Sequence, residues 1–198
     1  MFVDLLQALG QVMGDDNAVH EDDILGVCAI VGFITINWAL VEHQLDNCIA
    51  MVISDFGGLS KYKKIPRQYV TKSAYLREAF SNKTQFKHFK DAMIALLDRA
   101  DIAANKRHTM IHGTIDKVEG GTLAMSKLDY DAGLLQKAQM KFDMGPDGGL
   151  IPEFATLSAD WLNFSHNLFN ATRAAKAKEK LDSDSNSLRA KPSNRCKS

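Results

Sequence analysis

Arg107, His108 and His112 are the residues of this chain whose types and spacing best suit chemistry. They fall where a buried helical stripe should continue. Phe86, Phe89, Met93, Leu96, Ala100 and Ala103 recur in steps of three and four, which keeps them on one helical face. The next position of that series is Arg107, and Gly113 then offers a helix stop. At 3.6 residues per turn Arg107 and His112 diverge by about 140°, so they flank a groove, whereas His108 and His112, four apart, share one line. An imidazole that titrates near neutrality can move a proton, and a guanidinium that keeps its charge can hold an anionic transition state. The set suits phosphate chemistry.

Two other readings use the same residues. Cations at the end of a helix are favoured by its dipole, by roughly 0.3–1 kcal/mol, and need do nothing else. His108-x3-His112 also has metal-ligand spacing, but it lacks the glutamate of a zinc-protease motif and a third ligand nearby.

The elements that must position this cluster begin with Ile24 to Val41, which carries no charged residue and reaches the ~18-residue threshold for a membrane span. Gly26, Gly32, Thr35 and Asn37 dilute it, both flanks are acidic, and the helical pattern runs on through Glu42 to Ile53. A central bundle helix, buried nearly all round, is expected instead of a membrane helix. On it Trp38, Glu42 and His43 are placed to project toward the Arg/His end. Glu42 then serves as a structural ion-pair partner of a cation such as Arg107, as a catalytic group, or as both; Trp38 is either part of the site or plain core.

Arg107-His108-Thr109-Met110-Ile111-His112 resembles the Arg-polar-x3-His signature of the HEPN superfamily (higher eukaryotes and prokaryotes nucleotide-binding). Asn37-Trp38-Ala39-Leu40-Val41-Glu42 is similar to the Trp-x3-Glu on the early helix of some bacterial members, and the matches span about Ile24 to Gly113. The resemblance implies a HEPN-like helical bundle and a metal-independent endoribonuclease, a toxin or defence component, in which the ribose 2′-hydroxyl attacks its neighbouring phosphodiester. It gives catalytic roles to Arg107, His112 and His108 and supporting ones to Glu42 and Trp38, with RNA as substrate and no cofactor or metal. A homodimer that builds one cleft from both subunits, and an antitoxin partner, follow from the same likeness. The alternative is a non-catalytic HEPN-like module that binds RNA or a nucleotide, or docks a protein. Some toxin members carry Tyr two residues after the His; Thr114 stands there in this chain, so regulation through a tyrosine is not implied.

Composition is that of a globular protein: 198 residues, 45% hydrophobic, 24% charged, net charge zero. Bulk charge therefore argues for no polyanionic or polycationic partner. Its distribution is uneven. No Lys or Arg precedes Lys61, while Lys61 to Arg107 is rich in both. The acidic first third and basic middle either pair with each other or leave the basic part to steer a polyanion. Cys28, Cys48 and Cys196 form no CxxC pair, and the first two sit in apolar surroundings, so buried reduced thiols in a cytoplasmic protein are expected. No basic signal-peptide region opens the sequence.

Around this frame, Met1 to Gly14 reads as an amphipathic helix through Phe2, Leu5, Leu6, Leu9, Val12 and Met13, packing on the bundle or on a second subunit; Asp15 to His20 reads as a capping loop. Phe56-Gly57-Gly58 should end the long helix. Pro66 suits the first turn of a helix to Phe80 with Tyr69, Ala74, Leu76 and Phe80 inward, and Thr84 suits the N-cap of the helix that ends at His112. His88, early on that helix, reads as a surface histidine. After Gly113 a hairpin about Gly120-Gly121 and a third strand, Gln136 to Phe142, form a β-insert at about 114–144. Leu157, Trp161, Phe164, Leu168, Ala171 and Ala175 mark a last helix to Leu181, capped by Thr156 or Ser158. The expected architecture is mainly α: one HEPN-like helical domain over 1–181 carrying the β-insert, then a disordered tail over 182–198.

Overall fold

The computed structural model describes residues 21–62, 64–131, 134–145 and 149–189. Among them the order is α1 (Glu21–Phe56), α2 (Tyr69–Asn82), α3 (Lys90–His112), β1 (Thr114–Glu119), β2 (Thr122–Asp131), β3 (Leu134–Asp143) and α4 (Leu150–Arg189). The expected helix before Asp15, the capping loop to His20, Cys196 and the tail beyond Arg189 lie outside the described residues.

A ladder of polar contacts sets the register of α1 and α4. Ser158 donates to Asn37 Oδ1 at 2.8 Å, Ser165 to Gln44 Oε1 at 2.8 Å, and Thr172 approaches Met51 Sδ at 3.6 Å, each pair 121 positions apart. Lys176 to Asp55, 2.7 Å, continues at the same offset. A constant offset means parallel helices, and a repeat of seven means a left-handed, coiled-coil-like crossing. A carbonyl of the hydroxyl's own helix also lies within reach in each case, so the single proton of each group is shared between two acceptors and is satisfied in the core. Ser158 is thus a buried rung and not a cap. The helix begins seven residues before Leu157 because Pro152 falls in its first turn, where no intrahelical N–H is required. It also runs past Leu181 to Arg189, so 182–189 are helical and not tail.

α3 runs antiparallel to α4, joined by Arg99–Asp160 at 2.7 Å and by Lys106–Glu153. It runs antiparallel to α2 as well: Tyr69 donates to Asp101, and Arg77 reaches Asp98 at 2.7 Å and Asp101 at 2.8 Å. Burial and its bond to Asp101 push the Tyr69 hydroxyl pKa up. The basic middle therefore pairs mostly with its own carboxylates and with those of α4. Lys72–Asp46 is its main link to the acidic first third, with Lys72 nearly buried.

Trp38, Val41, Leu45, Tyr75, Phe80, Phe86, Leu97, Phe154 and Trp161 fill the core between the helices. Phe86 stacks on Phe80 with centroids 4.4 Å apart and meets Phe56 edge-on at 4.7 Å. That anchoring holds Thr84–Phe86 in a 3-10 turn, so α3 starts at Lys90 and Thr84 caps nothing. Pro66 also falls before its helix, in the long connection that brings α2 back alongside α1. Ala74 faces out of α2, while Lys72, Ser73, Tyr75 and Leu76 face in.

α1 ends at Phe56 as expected. Gly57 and Gly58 have φ of 72° and 61°, and the Gly58 N–H donates to Val52 C=O at 2.9 Å. The expected all-round burial of α1 is overturned: Leu25, Cys28, Ala29, Gly32, Ile36 and Leu40 are exposed along one face. Cys28 is therefore an exposed thiol, while Cys48 is buried. One helical stretch, Ile24–Phe56, is long and apolar enough to cross a membrane; the core helix of a soluble protein passes the same test.

Candidate functional site

The Arg/His cluster sits where α3 meets the sheet. The chain stops being helical at Gly113, whose N–H still donates to Thr109 C=O at 2.7 Å. Glycine is required here by closeness and not by a left-handed backbone, since φ is −84°. A Cβ at this position would lie 2.4 Å from the Thr109 carbonyl oxygen and 3.0 Å from that of Ser126. The end of α3 and strand β2 are thus pressed together, and His112 stands at the seam.

β1, β2 and β3 form an antiparallel meander in that order, with Thr114 opposite Ser126. The Gly120-Gly121 turn has φ of 54° and 77°, as a tight hairpin of primed type needs. Register breaks once, between Ile115 and Lys117, which leaves Asp116 as the extra residue of a β-bulge. The bulge aims its carboxylate along the sheet: Ser126 donates to Asp116 Oδ1 at 2.9 Å and Lys137 at 3.2 Å. His112, Thr114, Asp116, Ser126, Lys127 and Lys137 line a cleft of about 400 Å³. Its walls carry a basic imidazole, two hydroxyls and two ammonium groups around one bonded carboxylate, a lining suited to a phosphate or sugar.

His108 and His112 are in contact, with ring centroids 4.7 Å apart and planes tilted by 53°. Arg107 is half-buried, as its place in the stripe demands, and Met110 resumes the core one turn on. The Arg107 Nε is shut off from solvent and has no hydrogen-bond acceptor. Arg107 does not line the His112 cleft. So the two imidazoles touch and His112 joins the sheet in lining the cleft, while Arg107 is not among the residues that line it.

Trp38 and Glu42 stand elsewhere. Trp38 is buried and meets Tyr69 edge-on at 5.0 Å, and Tyr69 bonds Asp101. Because α1 and α3 are antiparallel, each step from Trp38 to Glu42 moves away from the sheet end. The ion-pair registers place Glu42 level with about Leu96 of α3, ~16 Å along the axis from Arg107 at 1.5 Å per residue. Glu42 is half-buried and makes no ion pair with Arg107. Trp38 accordingly packs the core at mid-bundle. His88 is exposed, lies just before α3 at the end away from the cluster, and edges a separate cleft between the end of α1, the turn at Gln85–Phe89 and α4. Among the described residues no three His, Cys, Asp or Glu side chains cluster as a metal site would require.

Asp116, Ser126 and Lys137 were not singled out from the sequence. A signal for the first was present: Ile115 and Val118, both half-buried, are three apart, an odd spacing in a strand of period two that betrays an inserted residue. No local pattern marks Ser126 or Lys137, whose neighbours come from strand pairing.

Comparison of the chain with protein-family models, with curated proteins and with solved structures finds no significant match.

Proposed function

We propose that the chain is a metal-independent endoribonuclease of HEPN type, a toxin or defence component. The observation that carries this is Arg107: a guanidinium near the C-terminal end of α3, its Nε buried without an acceptor, on the same helix end as two touching imidazoles, of which His112 lines a hydroxyl- and lysine-bearing cleft. An orphaned donor costs roughly 1–3 kcal/mol, a cost best explained by an anion that arrives later. In the reaction, His112 removes the proton of a ribose 2′-hydroxyl. The freed oxygen bonds to the adjacent phosphorus, the bond from phosphorus to O5′ breaks, and an imidazolium returns a proton to the leaving oxygen. A 2′,3′-cyclic phosphate and a 5′-hydroxyl result. Arg107 offsets charge on the phosphorane, and His108 orients His112 or shares the proton work. Lys137 and Lys127 hold the flanking phosphate.

The separation of Arg107 from the His112 cleft within one chain supports a two-fold homodimer in which each guanidinium serves the partner's cleft. It equally favours a second reading, a module that binds RNA or a nucleotide without cutting it. The test is cleavage of single-stranded RNA in EDTA. Arg107→Ala and His112→Ala should each abolish it while leaving the helical circular-dichroism signal intact. Cleavage that survives both changes rules the proposal out; binding without a cyclic-phosphate product selects the second reading.

A further inference from the structure

Asp116 is an unexpected residue for a cleft that takes a phosphate, which its carboxylate repels. It lines that cleft with Thr114, Ser126, Leu128 and Lys137. The fold fixes it there. It is the extra residue of the bulge between Ile115 and Lys117. Ser126, only 6% exposed, donates to its Oδ1 at 2.9 Å, and Lys137 donates to the same oxygen at 3.2 Å. Among the described residues Oδ2 accepts no hydrogen bond. A carboxylate held by one oxygen keeps the other for a donor on a ligand.

A second feature stands beside it. Leu128 is 65% exposed, faces Lys137 across the β2–β3 ladder and lines the same cleft. An exposed apolar side chain next to fixed donors and acceptors matches a nucleobase, which is apolar on its faces and polar along its edge.

We propose, resting on the reading of this cleft as a site for single-stranded RNA, that its Leu128 end binds a nucleobase and selects uracil and guanine. The base packs on Leu128 and is read at its edge by Asp116, Lys137 and Thr114. Uracil and guanine both carry a ring N–H beside a carbonyl oxygen. The N–H goes to Asp116 Oδ2 and the carbonyl to Lys137. The Lys137 ammonium has protons enough: one on Asp116, a second for the flanking phosphate and a third for this carbonyl. The remaining edge group, O2 of uracil or the amino group of guanine, meets the Thr114 hydroxyl, which donates or accepts as required. Cytosine and adenine carry a lone pair where the ring N–H should be. Turned over, they offer an amino N–H to Asp116 and the ring nitrogen to Lys137, but no group to Thr114. The difference should reach at least about tenfold in affinity. Were Asp116 only the counter-ion of Lys137, its removal would change the binding of every RNA alike.

The test uses the full chain carrying His112→Ala, to bind without cutting, and labelled decamers of uridine, cytidine and N3-methyluridine, followed by fluorescence anisotropy. The decamers carry equal charge, and uridine differs from the other two only at the edge in question. Uridine should bind at least about tenfold more tightly than either, and adding Asp116→Asn should bring the three to within about twofold. Circular dichroism and retained binding of the cytidine decamer show that the Asp116→Asn chain is folded. Equal affinities for the uridine and cytidine decamers, or a uridine preference that survives Asp116→Asn, would overturn the inference. Cutting of mixed-sequence RNA beside all four bases alike by the wild-type chain overturns it too, yet leaves the nuclease in place. A uridine preference lost in Asp116→Asn, in a chain whose wild type cuts nothing, supports the base site and removes the nuclease. Failure to bind any decamer overturns both.

Discussion

Replacing Arg107 by methionine should make the protein more stable and inactive. The Arg107 Nε is buried and lacks an acceptor, so the folded state carries an unmet donor. Removing such a donor gains about 1–3 kcal/mol when burial is complete, and about 1–2 kcal/mol for a half-buried side chain. Methionine keeps the apolar stem against the core. Against this, Arg107 lies near the C-terminal end of α3, where the helix dipole favours a cation by about 0.3–1 kcal/mol. The net is a gain of about 1 kcal/mol, or roughly 2–4 °C in Tm for a chain of this size. Thermal and urea unfolding of Arg107→Met beside the parent, without RNA, measure it. A gain in Tm with loss of RNA cleavage is the signature of a residue kept for a ligand at the expense of stability. If the variant instead loses more than about 1 kcal/mol, Arg107 is structural and the reasoning from its orphaned donor collapses.

The remaining expectations concern what surrounds the cluster. Gly113→Ala should destabilise by roughly 1–3 kcal/mol, because its Cβ meets two carbonyl oxygens, and should lower cleavage beyond the unfolded fraction by shifting His112 from β2. Asp46→Ala, which strands the nearly buried Lys72, should cost about 2–3 kcal/mol in urea unfolding, below the full penalty because Asp46 is 40% exposed; Lys72→Met should fall within about 1 kcal/mol of the parent. Burial pushes the Cys48 thiol from 9.0 up to about 12. The unfolded thiol ionises from about pH 9 and the folded one only near 12, so this group's contribution is complete below pH 9 and is lost as pH rises toward 12. The loss reaches about 4 kcal/mol at 1.36 kcal/mol per unit, and Cys48→Ala should remove that part of the alkaline decline in urea stability.

The sequence made the helices legible where apolar spacing was long and regular. Met93, Leu96, Ala100 and Ala103 lie buried on α3, and Gly120-Gly121 turns the hairpin it was expected to turn. Helix starts were less legible, because Thr84, Pro66 and Ser158 each suit a helix N-terminus locally while aromatic stacking, a return loop and a buried rung decide the outcome. Asn37 and Gln44, seven apart in an apolar helix, were visible as dilution; their meaning as rungs depends on Ser158 and Ser165, more than a hundred residues away. Spacing alone placed Arg107, His108 and His112 at the end of α3, where the helix stops at Gly113. Glu42 was misplaced because spacing fixes the face of a helix and not the level at which its neighbour passes. Asp116 was missed because a bulge is defined by the opposite strand.

The most direct measurement is the chemical end of the RNA that the protein leaves behind. Single-stranded RNA incubated with the wild-type chain in EDTA, and analysed by mass spectrometry, should yield fragments ending in 2′,3′-cyclic phosphate and beginning with 5′-hydroxyl, and none with Arg107→Ala. Intact RNA, or fragments bearing 5′-phosphate, would contradict the account.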